Sequence, residues 1–523
     1  MIGSMLRKAQ LSGGCDATAS PDAPYDLTSS GVTSSSITLN WEDATSTPNE
    51  ASSYEVGISS NGGTTWTTVT VSAPASLYTF SGLSSGTTHH FRIRGINCAG
   101  ASYYDGEGFT QATSAGTLSP SWSLDFSSGT PSGYTLTRAS SGTYVDSSGY
   151  IASASTDVAR LTHDSSGSRL GLLVEESRIN RCLQSEDLST SWLLTNATVT
   201  ANDTTAPDNT TTADKLTEGN IGAISRDRSI RAASLVWANS TTYTLSIYAK
   251  ADTATVIQFW VGDATFGTDF WQNYDLANGV LGSSGGASGS SAGMENVGNG
   301  WYRCWLTGTT IASNGRTWYI SLTDNSTTAT RNTSYVRSSN ARSLWLWGGQ
   351  IEVGSHRTSY IPTTTANVTR SADLAHVLDS AITDWGWGAL VIHFYPPGQA
   401  GTLISTDDAS ASQYGIQADT ATSARGFWQT GQTTSATLGT GIQKAAHFIS
   451  GSTSKFVLNG GTVYSVTNDV THSNIDFVTL GAEATDSSGV PGTFSQWANC
   501  VIRKIEWYGD GNLTNAQLQA ITT

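Results

Sequence analysis

Apolar side chains stand at every second position in run after run of this chain. Ile37, Leu39 and Trp41 do so first, then Tyr54, Val56 and Ile58, then Phe91 and Ile93 with Gly95. A period of two puts each set on one face of an extended strand, so the chain must fold as sheets that bury one face against another. Polar turns separate the runs, and Asn61-Gly62-Gly63 is one in which positive φ is tolerated. Composition points the same way. Charged residues are 13% of the 523, and 54 Gly, 17 Trp and 19 Tyr stand against 3 Met, which leaves little material for amphipathic helices and much for sheet faces. The expected fold class is all-β. One helix is expected at the C-terminus, where Leu513-Thr514-Asn515-Ala516-Gln517-Leu518 reads as a segment capped by Thr514 or Asn515, with Leu518 and Ile521 turned to a sheet.

Several function classes drop out. A net charge of −15 argues against a nucleic-acid partner, whose affinity comes from positive surface. No apolar run reaches the ~18 residues a bilayer span needs, so membrane insertion is not expected. Arg7 and Lys8 are followed by no apolar segment, so the usual secretion signal is missing and the chain is expected to stay where it is made unless a particle carries it out. Cys15, Cys98, Cys182, Cys304 and Cys500 lie far apart with no Cys-x-x-Cys pair, which argues against zinc and for free thiols made in a reducing compartment.

Four segments are expected. Residues 1–22 form a short arm without strand alternation, closed by Pro21 and Pro24 and suited to docking on another protein. In residues 23–117, Gly82-Leu-Ser-Ser-Gly86 through His89-His90-Phe91 to Asn97 resembles the E to F corner of a fibronectin type III domain. Trp41 stands where that family keeps its core tryptophan, and His89 where it usually has a corner tyrosine. In residues 118–373, the motifs are Tyr134 to Arg138, Tyr144-Val-Asp146, Gly171-Leu-Leu-Val-Glu175-Glu176-Ser-Arg178-Ile-Asn180 and Gln184 to Asp187. They continue in Ala206-Pro-Asp208, Ala213-Asp-Lys-Leu216, Gln350-Ile-Glu352, Tyr360-Ile-Pro362 and Thr369-Arg370-Ser-Ala-Asp373. This ordered set resembles a segment recurring in structural and tail proteins of tailed bacteriophages, with Ile179-Asn180 in place of the usual Thr-Asn. The resemblance implies a carbohydrate-binding-type jelly roll. Gly285 to Gly293 reads as one long exposed loop. Residues 374–523, with Ala389 to Tyr395, Lys455 to Asn459 before Gly460-Gly461 and Cys500 to Tyr508, resemble a concanavalin A-like, laminin-G-type jelly roll, closed by the Leu-Thr-x-x-Gln-Leu helix. Tandem β-sandwiches follow from these resemblances.

Catalytic chemistry is hard to place. Glu175 and Glu176 are neighbours that point to opposite faces of a strand, so they read as a surface acid and a partner for Arg178. His163-Asp164 and His472 lack any nucleophile elbow or metalloprotease helix, and Cys304 reads as core. Asp407, Asp408, Glu483 and Asp486 are the loop carboxylates suited to Ca2+, the one cofactor considered. Leu344-Trp345-Leu346-Trp347 is apolar on both alternating faces and reads as a buried strand. A sugar needs a flat ring rimmed by amides, and Trp428 with Tyr414, Gln417 and Trp497 is the expected glycan platform; Trp385 and Trp387 are further aromatic candidates. Together these readings point to a binding protein, not an enzyme: a virion fibre or adhesin assembled in the host cytoplasm and released by lysis. Its arm would meet other virion proteins, its lectin-like domains host surface glycan, and the resemblance implies a homotrimer. The alternatives are a capsid decoration or head-fibre protein and, more distantly, a polysaccharide-degrading enzyme.

Overall fold

The computed structural model describes residues 17–523 apart from 44–48, 115–117, 220–228, 233–234, 262–265, 267–269, 287–289, 314, 317, 324, 328–330, 332–340, 379–386, 398, 408–413, 429–430, 468–476, 486–492 and 510–511. The protein is all-β, built of β-sandwiches with one short C-terminal helix, and divides into two units. The first comprises Met1–Ser119 with Asn512–Ile521. In it a three-stranded sheet, Tyr25–Ser30, Ser36–Glu42 and Leu77–Ser81, covers a second sheet of Thr67–Ser72, Ser53–Ser59, Thr88–Asn97, Gly100–Ala101 and Asp105–Ala112. The alternating residues meet between them: Ile37, Leu39, Trp41, Tyr54, Val56, Phe91 and Ile93 are all buried. Asn61-Gly62-Gly63 is the expected turn, with φ of 69° at Gly62 and 82° at Gly63. His89 is buried at the corner, where its Nε2 has no hydrogen-bond partner. The described end of the arm is tied down: Asn49 Oδ1 accepts from the Thr18 and Ala19 N–H groups, and Asn97 Nδ2 donates to the Ala19 carbonyl.

The C-terminal helix, Asn515–Thr522, has a complete capping box: Thr514 accepts from the Gln517 N–H, and the Gln517 side chain accepts from the Thr514 N–H. Its residues through Ile521 cluster with this first unit, where the sequence suggested the C-terminal sandwich, and Gln517 Nε2 donates to Ser85 Oγ at 2.6 Å. Cys98 is engaged in a disulfide, which corrects the expectation of five free thiols; Cys182, Cys304 and Cys500 are free and buried, and Cys15 lies outside the described residues.

The second unit, Pro120–Gly511, holds two sandwiches, and their boundaries are not those read from the sequence. The strand Cys500–Tyr508 pairs with Gly388–Tyr395 on one edge and, on the other, with Arg169–Val174 and Trp122–Asp125. Thr135–Thr137 pairs with Leu374–Leu378 in the facing sheet. Trp122–Asp125, Thr135–Thr137, Leu161–His163 and Arg169–Val174 are therefore strands of the C-terminal sandwich, and a division at Leu374 would strip these four from its two sheets; Gly142–Val145 and Ile151–Ala154 pair as a separate hairpin. The other sandwich is an insertion. The chain leaves through Arg178–Asn180 and returns through Val368–Arg370, and these pair antiparallel as a stem. Between them two six-stranded sheets close on Ile247, Ile257, Phe259, Cys304, Trp318, Leu344 and Leu346.

Gly285 to Gly293 is not one loop. Its described ends lie in the strands Val280–Gly285 and Ser291–Asn296. Added Cβ atoms at Gly285 and Gly293 would sit 2.4 Å from Trp271 and 2.1 Å from Trp305, so these glycines make room for indole rings.

Candidate functional site

Part of the ordered motif set of the middle segment, Arg138, Glu175, Asn180, Tyr360, Arg370 and Asp373 among it, converges on the joint between the two sandwiches of the second unit. Arg160, fully buried, donates Nη1 to Glu175 Oε2 at 2.7 Å and Nη2 to Asp373 Oδ2. Arg138 donates to Asp373 Oδ1 at 2.9 Å, and Arg370 lies 3.5 Å from Glu175. Glu175 also accepts from the N–H and hydroxyl of Ser359, both at 2.7 Å. Burial would raise the Glu175 carboxyl, but Arg370, Arg160 and Ser359 hold it far below the usual carboxylate range. Glu175 is thus a buried ion, not the surface acid expected. Glu176 does pair with Arg178, at 2.6 Å, and points the other way, to Asn499 and Gln399.

The remaining motifs lock the joint with hydrogen bonds. Asn180 Nδ2 donates to the Gly349 and Ile361 carbonyls, while its Oδ1 accepts from the Ile351 and Cys182 N–H groups. Gln350 accepts from the Ile361 N–H, Glu352 from the Thr358 N–H, and the Tyr360 hydroxyl reaches Glu186 at 3.0 Å. No single one of these residues looks catalytic in sequence. Their shared feature, legible only once the stem is drawn, is that each lies close to where the inserted sandwich leaves or rejoins the chain.

Two cavities flank the joint. A smaller one of about 250 Å³ holds Glu186, Asp208, Trp347 and Tyr360; burial and the Asp208 charge raise the Glu186 carboxyl. The larger, about 450 Å³, is lined by Tyr144, Ser165, Asn296, Arg303, His356 and Asn499 among others. His356 is 9% exposed and neither ring nitrogen has a hydrogen-bond partner. Burial, then the guanidiniums of Arg178, Arg357 and Arg370, push its imidazole down to about 4 against the opposing pull of Glu175, so it is neutral at pH 7.

The expected glycan platform is not a surface. Tyr414 and Trp428 are register partners on neighbouring strands and both face the core, at 3% and 7% exposure. Their phase is set by Ile416, Ala424 and Gly426, which bury the same face and leave Arg425 and Phe427 on the other. Gln417 faces Arg425, which also pairs with Asp419, and Trp497 is half-buried against the same core. These four residues present no open ring for a sugar. Trp387 likewise packs on that core, and Trp385 lies outside the described residues.

Among the described residues no group of three His, Cys, Asp or Glu gathers as a metal site. Asp408, Asp486, His472 and the Asp407 side chain lie outside the described residues, while burial raises the Glu483 carboxyl. His163 is buried with Nδ1 3.0 Å from the Val145 carbonyl, and Asp164 holds its own turn through the Ser166 and Ser168 N–H groups. No helix among the described residues is long and apolar enough to cross a membrane.

The first unit is a fibronectin type III sandwich, and the model of the Fibronectin type III domain family matches residues 22–111. Solved structures similar to this stretch include an FN3 domain of human collagen XX, at 27% identity over 19% of this chain and 100% of that one, with a TM-score of 0.16. A computer-redesigned β-sandwich protein is 18% identical over 19% of this chain and 95% of its own, with a TM-score of 0.17. No curated protein matches the chain.

Proposed function

We propose that this chain is an adhesin or fibre protein of a tailed-phage virion, in which a fibronectin type III module carries a nested pair of β-sandwiches that bind host surface glycan. The observation that carries the reading is the fate of the motif carboxylates. Glu175, Glu352 and Asp373 are each matched by guanidiniums or by hydroxyl and N–H donors, so these three build a joint beside a polar cleft and none of them is an acid or base poised across a substrate. The phage resemblance includes these residues among its motifs, and a joint that needs them together supports reading that part of the set as one structural unit. The arm would dock on another virion protein, and homotrimeric assembly follows the same analogy. Nucleic acid and membrane insertion have no part in this reading.

The purified full chain, labelled and applied to an array of bacterial surface polysaccharides, should bind at least one of them without releasing reducing sugar. Failure to bind any, or binding unchanged by periodate oxidation of the glycan, would remove the reading. A polysaccharide hydrolase is the second reading, favoured by the raised Glu186 carboxyl beside Asp208 in the smaller cavity. Release of reducing ends, lost in Glu186→Gln, would install it instead.

A further inference from the structure

We infer that Cys98 is bonded to Cys15, and that this bridge is a redox-sensitive latch fixing the root of the N-terminal arm to the fibronectin type III module. The inference rests on the docking-arm reading only for what the latch serves. The bond and its local effect stand on the first unit alone.

The pairing follows by elimination. The chain has five cysteines; Cys182, Cys304 and Cys500 are free and buried, and Cys98 is disulfide-bonded, which leaves Cys15. Reactivity divides them in the same way. Cys98 is exposed in the turn between Thr88–Asn97 and Gly100–Ala101, where an oxidant reaches it. Burial keeps the other three protonated and inert, pushing Cys182 and Cys304 far up and Cys500 up to about 12.

The described root of the arm runs beside that turn. Asn49 Oδ1 accepts from the Thr18 and Ala19 N–H groups at 3.0 and 3.1 Å. One side chain ties arm and turn together: Asn97 Nδ2 donates to the Ala19 carbonyl at 2.9 Å, while its Oδ1 accepts from the Ala99 and Gly100 N–H groups at 2.9 and 3.2 Å. An added Cβ at Gly100 would lie 3.7 Å from Ser20 Cβ. Cys15 stands three positions before Thr18, and three residues of extended chain span up to ~10 Å, so holding Thr18 to Ser20 on this turn keeps the Cys15 thiol within reach of Cys98. Without the bridge the root depends on hydrogen bonds that compete with water.

The closing step needs an oxidant, and a low-molecular-weight disulfide such as oxidised glutathione supplies it. The Cys98 thiolate attacks that disulfide and releases one small thiol; the Cys15 thiolate then attacks the Cys98 sulfur of the mixed disulfide and releases the second. Two protein thiols become one bridge, one small disulfide becomes two thiols, and the two protons pass to the departing thiolates. In a reducing compartment the exchange runs backwards, so an arm made there is loose and is latched on release.

The test uses the full chain, equilibrated with oxidised glutathione, alkylated under denaturing conditions and digested without reductant. Mass spectrometry should find the Cys15 peptide joined to the Cys98 peptide, with Cys182, Cys304 and Cys500 alkylated. Amide exchange at Thr18 and Ala19 is then compared in the oxidised chain, the reduced chain and Cys15→Ser, a variant that leaves the Cys98 turn untouched. Exchange should be about tenfold faster in the reduced chain and in the variant, as local opening of an untethered root predicts. Reduction should change nothing further in Cys15→Ser. The proposal falls if Cys98 is recovered alkylated, capped by glutathione or joined to Cys98 of a second copy. It also falls if the bridge is present but Thr18 and Ala19 exchange equally fast with it open or closed. The two readings fail separately, because neither measurement uses a virion. A latched arm that docks on no virion protein removes the docking reading and keeps the latch; an arm that docks while its Cys98 is free under oxidising conditions does the reverse.

Discussion

Replacing Glu175 by Gln changes one oxygen to nitrogen in the middle of the buried joint and tests whether charge, not shape, holds it. Glu175 faces Arg160 at 2.7 Å and Arg370 at 3.5 Å, and accepts two bonds from Ser359 at 2.7 Å. The three guanidiniums of Arg138, Arg160 and Arg370 are balanced locally by Glu175 and Asp373. In Glu175→Gln one carboxylate remains against three cations, all almost fully buried, and the new amide turns its N–H groups toward donors. Breaking such a pair from one side costs about 3–5 kcal/mol. Arg160→Met removes a cation instead and leaves two against two, so its loss should be the smaller despite the larger change in shape. The sign with pH also follows. The folded Glu175 carboxyl lies far below its unfolded value of ~4.3, so its contribution is full above that pH and is lost progressively as the pH falls below it. Urea unfolding of the full chain, followed by tryptophan fluorescence, measures each variant. Glu55→Gln serves as the reference, because the Arg94–Glu55 pair is partly exposed and should matter by less than ~1 kcal/mol. A loss below about 1 kcal/mol in Glu175→Gln, or a larger loss in Arg160→Met, would refute the reasoning.

Four further outcomes are expected. Trp428→Ala should lower stability by about 3–5 kcal/mol, because the ring is core; a mutant that melts like wild type would put it back on the surface. Burial pushes His447 down to about 3, and burial with nearby guanidiniums pushes His356 to about 4, while the unfolded chain takes up these protons near pH 6.5. Stability should therefore be full above pH ~6.5 and fall by about 3 kcal/mol per histidine toward pH 4; equal unfolding midpoints at pH 7 and pH 5 would contradict this. Thr514→Ala deletes the capping-box hydroxyl and should cost about 1 kcal/mol, read as faster amide exchange in Asn515–Thr522. Alkylation of denatured, unreduced protein should label Cys182, Cys304 and Cys500 and spare Cys98.

Period-two alternation was enough to place the fibronectin type III core, because Ile37, Leu39, Trp41, Tyr54 and Val56 pair within about a hundred residues of one another. The same rule applies at Trp428, where the amide-rimmed ring alone suggests a platform. Ser423, Arg425 and Phe427 alternate with Ala424, Gly426 and Trp428, so the small residues had already marked which face was inside. Nesting was beyond reach for a physical reason. The strands Trp122–Asp125 and Cys500–Tyr508 are neighbours in space but more than 370 positions apart, and nothing local in either names its partner. The joint was hidden likewise: Arg138, Glu175, Arg370 and Asp373 each look like ordinary surface charge until the stem brings them together. His356 stood in no motif, and its only signal is the missing hydrogen bonds.

Cutting the chain where the sequence suggested, before Leu374, tests the nested architecture on which the cleft depends. Of residues 118–373 and 374–523, produced separately, the second should lack a cooperative unfolding transition, since it would carry unpaired edges of both eight-stranded sheets, whereas the first keeps the whole inserted sandwich. Mixed from the unfolded state they should associate and regain one transition. A sharp, independent melt for residues 374–523 alone would show that the sandwiches are consecutive and not nested, and the joint and its cleft would go with them.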